Sequence, residues 1–212
     1  MAATEPRPPS GPRRRQRDIA FDYDRTVALS DGVFAIALTL LVLTIPEPPS
    51  GDDLWGFLDD NLAAFGAYGL SFVVLAALWR YHHVFLRDVS RIDARLTSLN
   101  LLYLGLIALI PYPTGILAEH GDESAAVVLY AATLAAVTTV TAAMVIYSER
   151  AGLAPPRAQS LLWRLTTPAV FLVSIPLALA DPRAGLWSWL ALLPLGIAED
   201  RAAARAEAAG GG

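Results

Sequence analysis

Arg25, Ser30, Asp31 and Thr39 stand at the mouth of, or inside, one long apolar run, DRTVALSDGVFAIALTLLVLTIP, residues 24–46. Side chains of these types can do three things in such a setting. A guanidinium and a carboxylate can pair, a serine can join a hydrogen-bond network between helices, and a threonine hydroxyl can act as an oxygen ligand for a cation. From Thr26 to Ile45 the run is long enough to cross a bilayer, which takes about 20 mostly apolar residues at about 1.5 Å rise each. A carboxylate at membrane depth costs roughly 2.5–3.5 kcal/mol, so Asp31 is expected to face protein or water rather than lipid. This helix is therefore expected to pack inside a bundle.

A second set of chemically capable residues lies further on: Trp79, His82 and His83 in WRYHHVF, and Asn100 at the start of NLLYLGLIALIPYPTGIL. Adjacent histidines point in different directions on a helix, which argues against a metal site built from that pair alone. Their titration near neutral pH can still tune a polar network. Ser30 with His82 could be proposed as a nucleophile and base, but no G-x-S-x-G or H-E-x-x-H pattern accompanies them. The chain has no cysteine, which excludes disulfides, iron–sulfur clusters and thiolate catalysis. No enzyme, no cofactor and no nucleic-acid role is expected.

The surrounding chain has the composition of a membrane protein. Hydrophobic residues make up 55% and charged residues 17%, and the charges cluster between long uncharged stretches. These stretches predict an all-α integral membrane protein with six spans, at about 26–45, 61–82, 96–117, 125–147, 162–180 and 184–198. Pro168, Pro176 and Pro194 interrupt the last two, which spanning helices tolerate when neighbouring groups satisfy the freed carbonyls. Arginines fill alternate loops: Arg80, Arg87, Arg91 and Arg95, then Arg150 and Arg157, after an N-terminal arm with Arg7, Arg13, Arg14, Arg15 and Arg17. The first loop holds Glu47, Asp52, Asp53, Asp59 and Asp60, and the third Glu119, Asp122 and Glu123. Basic loops stay on the cytoplasmic side, so both termini are expected in the cytoplasm. The net charge of −4 says little, because the two signs are sorted to opposite faces. Residues 1–20 read as a disordered basic cytoplasmic arm, 21–200 as the transmembrane domain, and 201–212 as a flexible tail. No loop is long enough for a soluble domain, and no internal repeat is visible.

On a helical wheel of about 100° per residue, with Ile36 at zero, Leu40 falls near +40°, Leu43 near −20°, Thr39 near −60° and Gly32 near −40°. Asp31 and Ser30 fall near −140° and +120° on the same wheel. One face is thus apolar with a single hydroxyl, and the other carries the polar pair. In an arbitrary membrane helix such an apolar face would pack or meet lipid.

The residues resemble a known family. Arg25, three residues, Leu29, Ser30 and Asp31, followed by GVFAIALTLLVL, are similar to the R-x-x-x-F-S-D signature of the lysosomal-type potassium channels and their short bacterial six-helix members. Trp79, His82, His83 and Asn100 match further segments, and the similarity covers roughly residues 20–120. Leu29 departs from the usual phenylalanine. The resemblance implies a homotetrameric potassium channel in which the first helices surround a central pore. It implies a constriction at Ile36, Leu40 and Leu43 and a ring of selectivity hydroxyls from Thr39. It also implies an inter-helix network of Arg25, Ser30, Asp31, Trp79, His82 or His83, and Asn100. With no TVGYG-like carbonyl filter, K+ as permeant ion is expected to be only modestly preferred over Na+. The expected partners are further copies of the chain, membrane lipid and monovalent cations. The alternative is a secondary transporter or small-solute permease, which six unrepeated spans fit poorly.

Overall fold

The computed structural model describes residues 12–48, 53–156 and 161–192. Every regular element there is helical. α1 (Pro12–Leu40) ends in a 3₁₀ turn, Leu41–Thr44; α2 (Leu54–Asp60) is short; α3 (Leu62–Asp88), α4 (Ala94–Leu109), α5 (Pro111–His120) and α6 (Ser124–Arg150) follow. α7 (Leu161–Ala180), α8 (Pro182–Ser188) and a closing 3₁₀ turn, Trp189–Ala191, complete the described chain.

Among the described residues, four stretches are long and apolar enough to cross a membrane: Tyr23–Thr44, Leu62–Asp88, Ala94–His120 and Ser124–Arg150. They coincide with the first four expected spans. The fifth falls on α7, which holds Pro168 and Pro176 within its helix. Of the sixth, 184–198, the described part is a seven-residue helix and a 3₁₀ turn, and residues 193–198 lie outside the described residues. The tail at 201–212 lies outside them too, as do residues 1–11 of the arm. α1 begins at Pro12, so the backbone of residues 12–20 is helical where the composition suggested an unstructured arm.

Pro111 explains the break in the third stretch. Pro111 has no N–H to give to Ile107, so Ile110 N–H takes that carbonyl instead at 3.1 Å, and a new helix starts with proline at its first position. Thr114 then returns its hydroxyl to the Ile110 carbonyl.

α6 is the hub of the bundle. It packs against α4 on one side and α7 on the other, and 56% of its span is buried against 22% for α1 and α3. Small residues such as Ala126, Ala131 and Ala135 let neighbouring backbones approach, which is how helices associate where lipid removes the hydrophobic driving force. Three buried hydroxyls tie α3, α5 and α6 together: Ser71 is 2.9 Å from Tyr130 Oη and 2.9 Å from Thr114 Oγ1. Tyr130 also packs on Trp189, 5.2 Å between ring centroids. The outside is correspondingly apolar, with Val73, Leu102, Leu179 and Trp187 exposed, as a lipid-facing surface requires.

At one end of the bundle the loop before α4 is fastened to the end of α6. Ser90 N–H and its hydroxyl both reach the Leu153 carbonyl, at 2.8 and 2.9 Å. Asp93 caps α4 by accepting from Leu96 N–H at 2.8 Å, and its other oxygen accepts from Tyr147 Oη at 2.6 Å. The Tyr147 hydrogen bond first, and the Leu96 N–H second, hold the Asp93 carboxyl below the ordinary carboxylate range.

Two predictions follow from this packing. A group whose folded pKa is depressed stabilises the fold above its unfolded pKa and loses that contribution as pH falls through the folded value. Tyr147→Phe should therefore lower the melting temperature at near-neutral pH. The melting-temperature gap to the parent protein should close as the pH is taken below the ordinary carboxylate range. At the α7–α8 crossing, a Cβ on Gly185 would come within 2.6 Å of Ala178 Cβ and 3.1 Å of Val127 Cγ1. Gly185→Ala should overpack this contact and cost about 1–3 kcal/mol, read as a fall in detergent melting temperature.

Candidate functional site

α1 has two faces set by helical spacing. Ser30, Phe34, Ala37 and Leu41 recur at intervals of four, three and four residues and are buried against the bundle. That face packs on α4 and α3.

Ser30 is the centre of the buried face. Its hydroxyl donates to the Thr26 carbonyl one turn earlier, at 2.8 Å. Asn100 Nδ2 of α4 donates to the same oxygen at 3.3 Å, and His82 Nε2 of α3 lies 3.3 Å from it. A hydroxyl has one proton and two lone pairs. With the proton given to Thr26, both neighbours must donate, which assigns the His82 proton to Nε2. His82 is enclosed by rings: stacked on Tyr103 at 4.7 Å, with Phe34 at 6.0 Å and Phe85 at 6.3 Å. Asn100 Oδ1 is buried without a hydrogen-bond partner.

Asp31 leads to a second, more open limb. Its Oδ1 accepts from Trp79 Nε1 at 2.9 Å, and the Trp79 indole stacks on the His83 ring at 5.5 Å. The adjacent histidines thus do different things: His82 meets Ser30, and His83 meets Trp79. Arg25 lies on α1 six residues before Asp31, with an exposed side chain. Tyr23 Oη donates to the Leu86 carbonyl at 2.9 Å and pins this end of α1 to α3.

The opposite face of α1 is exposed. Ile36 is 60% exposed, Leu40 40% and Leu43 76%. Thr39 lies among them, exposed, its hydroxyl donating to the Ile36 carbonyl at 2.8 Å, which leaves the oxygen lone pairs facing outward as acceptors. Leu43 lies in the 3₁₀ turn rather than the α-helix, because the chain tightens ahead of Pro46. Residues three apart eclipse in such a turn, so Leu43 comes into line with Leu40. The wheel missed this tightening. It also gave no sign of Tyr103 and Phe34 as the walls around His82, although Phe34 stands one turn after Ser30. Among the described residues no group of three or more metal-ligating side chains is assembled.

These features bear on the comparisons with known proteins. Residues 25–111 match the family described as endosomal/lysosomal potassium channel TMEM175. A potassium channel of Streptomyces collinus is 44% identical over 106 residues, covering 48% of this chain and 50% of its own length. The endosomal/lysosomal proton channel TMEM175 of Gallus gallus is 34% identical over 111 residues, 48% of this chain and 22% of its own. The match thus spans about half the length of the Streptomyces relative and a smaller share of the chicken one. A crystal structure of a lysosomal potassium-selective channel TMEM175 homolog from Chamaesiphon minutus superposes with a TM-score of 0.73 at 26% identity, covering 84% of this chain and 98% of that one. All three are named as ion channels, and the resemblance first seen around Ser30 and Asp31 is a resemblance to TMEM175 channels, in sequence over residues 25–111 and in fold over most of the bundle.

Proposed function

We propose that this chain is one subunit of a potassium-permeable cation channel, a homotetramer of six-span subunits with cytoplasmic termini in a bacterial inner membrane, conducting along an axis lined by α1. One observation carries the reading. α1 buries its polar anchor inward and leaves Ile36, Thr39, Leu40 and Leu43 exposed on the opposite face. A single α1 encloses nothing, whereas four around an axis turn each of these residues into a ring.

Rings of isoleucine and leucine at successive turns make a narrow apolar constriction, and such constrictions gate by dewetting. Thr39 adds four hydroxyl oxygens whose protons are already given to the Ile36 carbonyls, so each ring member offers a passing ion only lone pairs. Weak oxygen ligands and dehydration cost then set a modest preference for K+. The potassium-channel names of the Streptomyces and Chamaesiphon proteins support the choice of ion. The chicken relative is named a proton channel, so a proton gradient belongs in the same assay.

Purified protein in liposomes should dissipate an imposed K+ gradient passively, with no second solute coupled to it; strict coupling would instead indicate a transporter. Native mass spectra in mild detergent should show tetramers. Ile36→Ala, Leu40→Ala and Leu43→Ala should each raise basal flux several-fold, because every truncation acts four times on one ring. Thr39→Ala should lower K+ over Na+ selectivity with little change in basal flux, read from bi-ionic reversal potentials.

The anchor should behave differently from the rings. Ser30→Ala leaves the Asn100 and His82 donors without their acceptor in a site closed to water, at a cost of about 1–3 kcal/mol. It should reduce tetramer yield and melting temperature while any assembled channel keeps its selectivity. Asp31→Ala, which strands the Trp79 N–H, should act in the same direction.

A further inference from the structure

The link between α1 and α3 holds a short helix of its own. α2 is seven residues, LWGFLDD, held at both ends. At its start the Asp53 carboxylate accepts from Trp55 N–H at 3.1 Å. At its end Asn61 serves two helices: its side-chain amide donates to the Phe57 carbonyl of α2 at 2.8 Å, while its own carbonyl accepts from Ala64 N–H in the first turn of α3 at 3.0 Å. Asn61 is non-helical, at φ −109° and ψ 16°. α2 and α3 therefore part at this one residue, immediately before α3 begins its span.

α2 is sided. Phe57 and Leu58 are half-buried, while Leu54 is 57% and Trp55 78% exposed, and the first residue of α3, Leu62, is 64% exposed. Asp59 and Asp60 fall outside the arc of Leu54, Leu58 and Trp55 on the wheel. We propose that α2 lies in the plane of the outer membrane boundary, with Leu54 and Trp55 seated in the interfacial layer of the lipid and Asp60 turned to water.

Three observations select lipid as the occupant. Tryptophan, with an apolar ring and one N–H, is the side chain best suited to that layer, and short amphipathic helices lie in it apolar side down. The exposed apolar surface of α2 continues past Asn61 into Leu62 and the exposed face of a membrane-spanning helix. A second copy of α2 is a poor alternative, because residues 45–79 carry Glu47, Asp52, Asp53, Asp59 and Asp60 and no basic residue. Copies brought together would set carboxylate against carboxylate with nothing to pair them.

The absence of native cysteine permits a direct test on the full-length protein, reconstituted in zwitterionic phosphatidylcholine vesicles. Leu54→Cys, Trp55→Cys and Asp60→Cys are labelled singly with a fluorophore, and quenching by chain-brominated phosphatidylcholine is compared with quenching by aqueous iodide. Exposed positions are used so that the variants fold, which a melting curve checks. The expected result is loss of most emission to brominated lipid at 54 and 55, and to iodide at 60. Iodide quenching alone at 55 would place the helix in water. Protection from both quenchers would place it against protein, and lipid quenching at 60 would reverse its orientation. Each of these three results overturns the proposal, and none depends on whether or what the protein conducts.

Discussion

One hydroxyl sets the rotation of α1. Ser30 gives its proton to its own helix and accepts from α3 and α4, so all of its hydrogen-bonding capacity is used and three helices meet at one oxygen. Each such bond contributes only about 1 kcal/mol net where water competes. At membrane depth no water competes, and turning α1 away would leave two donors stranded. Phe34, Ala37 and Leu41 extend the same face toward the far end of the span, so packing and hydrogen bonding agree on a single orientation. The exposure of Ile36, Thr39 and Leu40 is a consequence of that orientation.

The rest of the bundle serves to hold α3 and α4 still. Both partners of Ser30 sit on helices that are themselves fastened elsewhere. α4 is capped by Asp93 and tied to α6 through Tyr147; α3 is tied to α5 and α6 through Ser71, Thr114 and Tyr130. α6 is the most buried of the four long apolar stretches among the described residues, and both ties converge on it. Glu149 of α6 and Arg164 of α7 form an ion pair shielded from solvent, which fastens α7 to the same hub.

Much of this was legible in the sequence, and the limits have physical causes. Periodicity placed the first four spans because about 20 apolar residues admit few alternatives in a bilayer. The same periodicity separated Ser30 and Asp31 from Ile36 and Leu40, since both sets lie within one regular helix. It could not choose between His82 and His83, because neighbouring residues on a helix differ by about 100° and the answer depends on where α1 and α4 lie. Tyr103, which stacks on His82, looked like any aromatic in a span. The 3₁₀ turn at Leu41–Thr44 escaped because the wheel assumes one pitch throughout. α2 escaped because seven residues are too few to show a period, and its capping signals, Asp53 and Asn61, lie among other acidic and polar residues.

The placement of polar groups around α1 follows from what each surrounding can accept. A helix in such an assembly meets three environments: its own bundle, lipid or a neighbouring copy, and the central axis of the proposed channel. Lipid has no donors or acceptors, so a carboxylate turned there would be costly. The axis is unsuitable for a different reason, since a charged side chain on it would hold water and remove the dewetting on which an apolar gate depends. Only the bundle can supply an Asn100, a His82 and a Trp79 at fixed positions. Ser30 therefore sits on the buried face and Asp31 at its edge, where Trp79 reaches it, while Thr39 can stay on the exposed face. On the axis of the proposed channel, a hydroxyl whose proton is already given to the Ile36 carbonyl would meet an ion with lone pairs alone and would bind water far less firmly than a carboxylate.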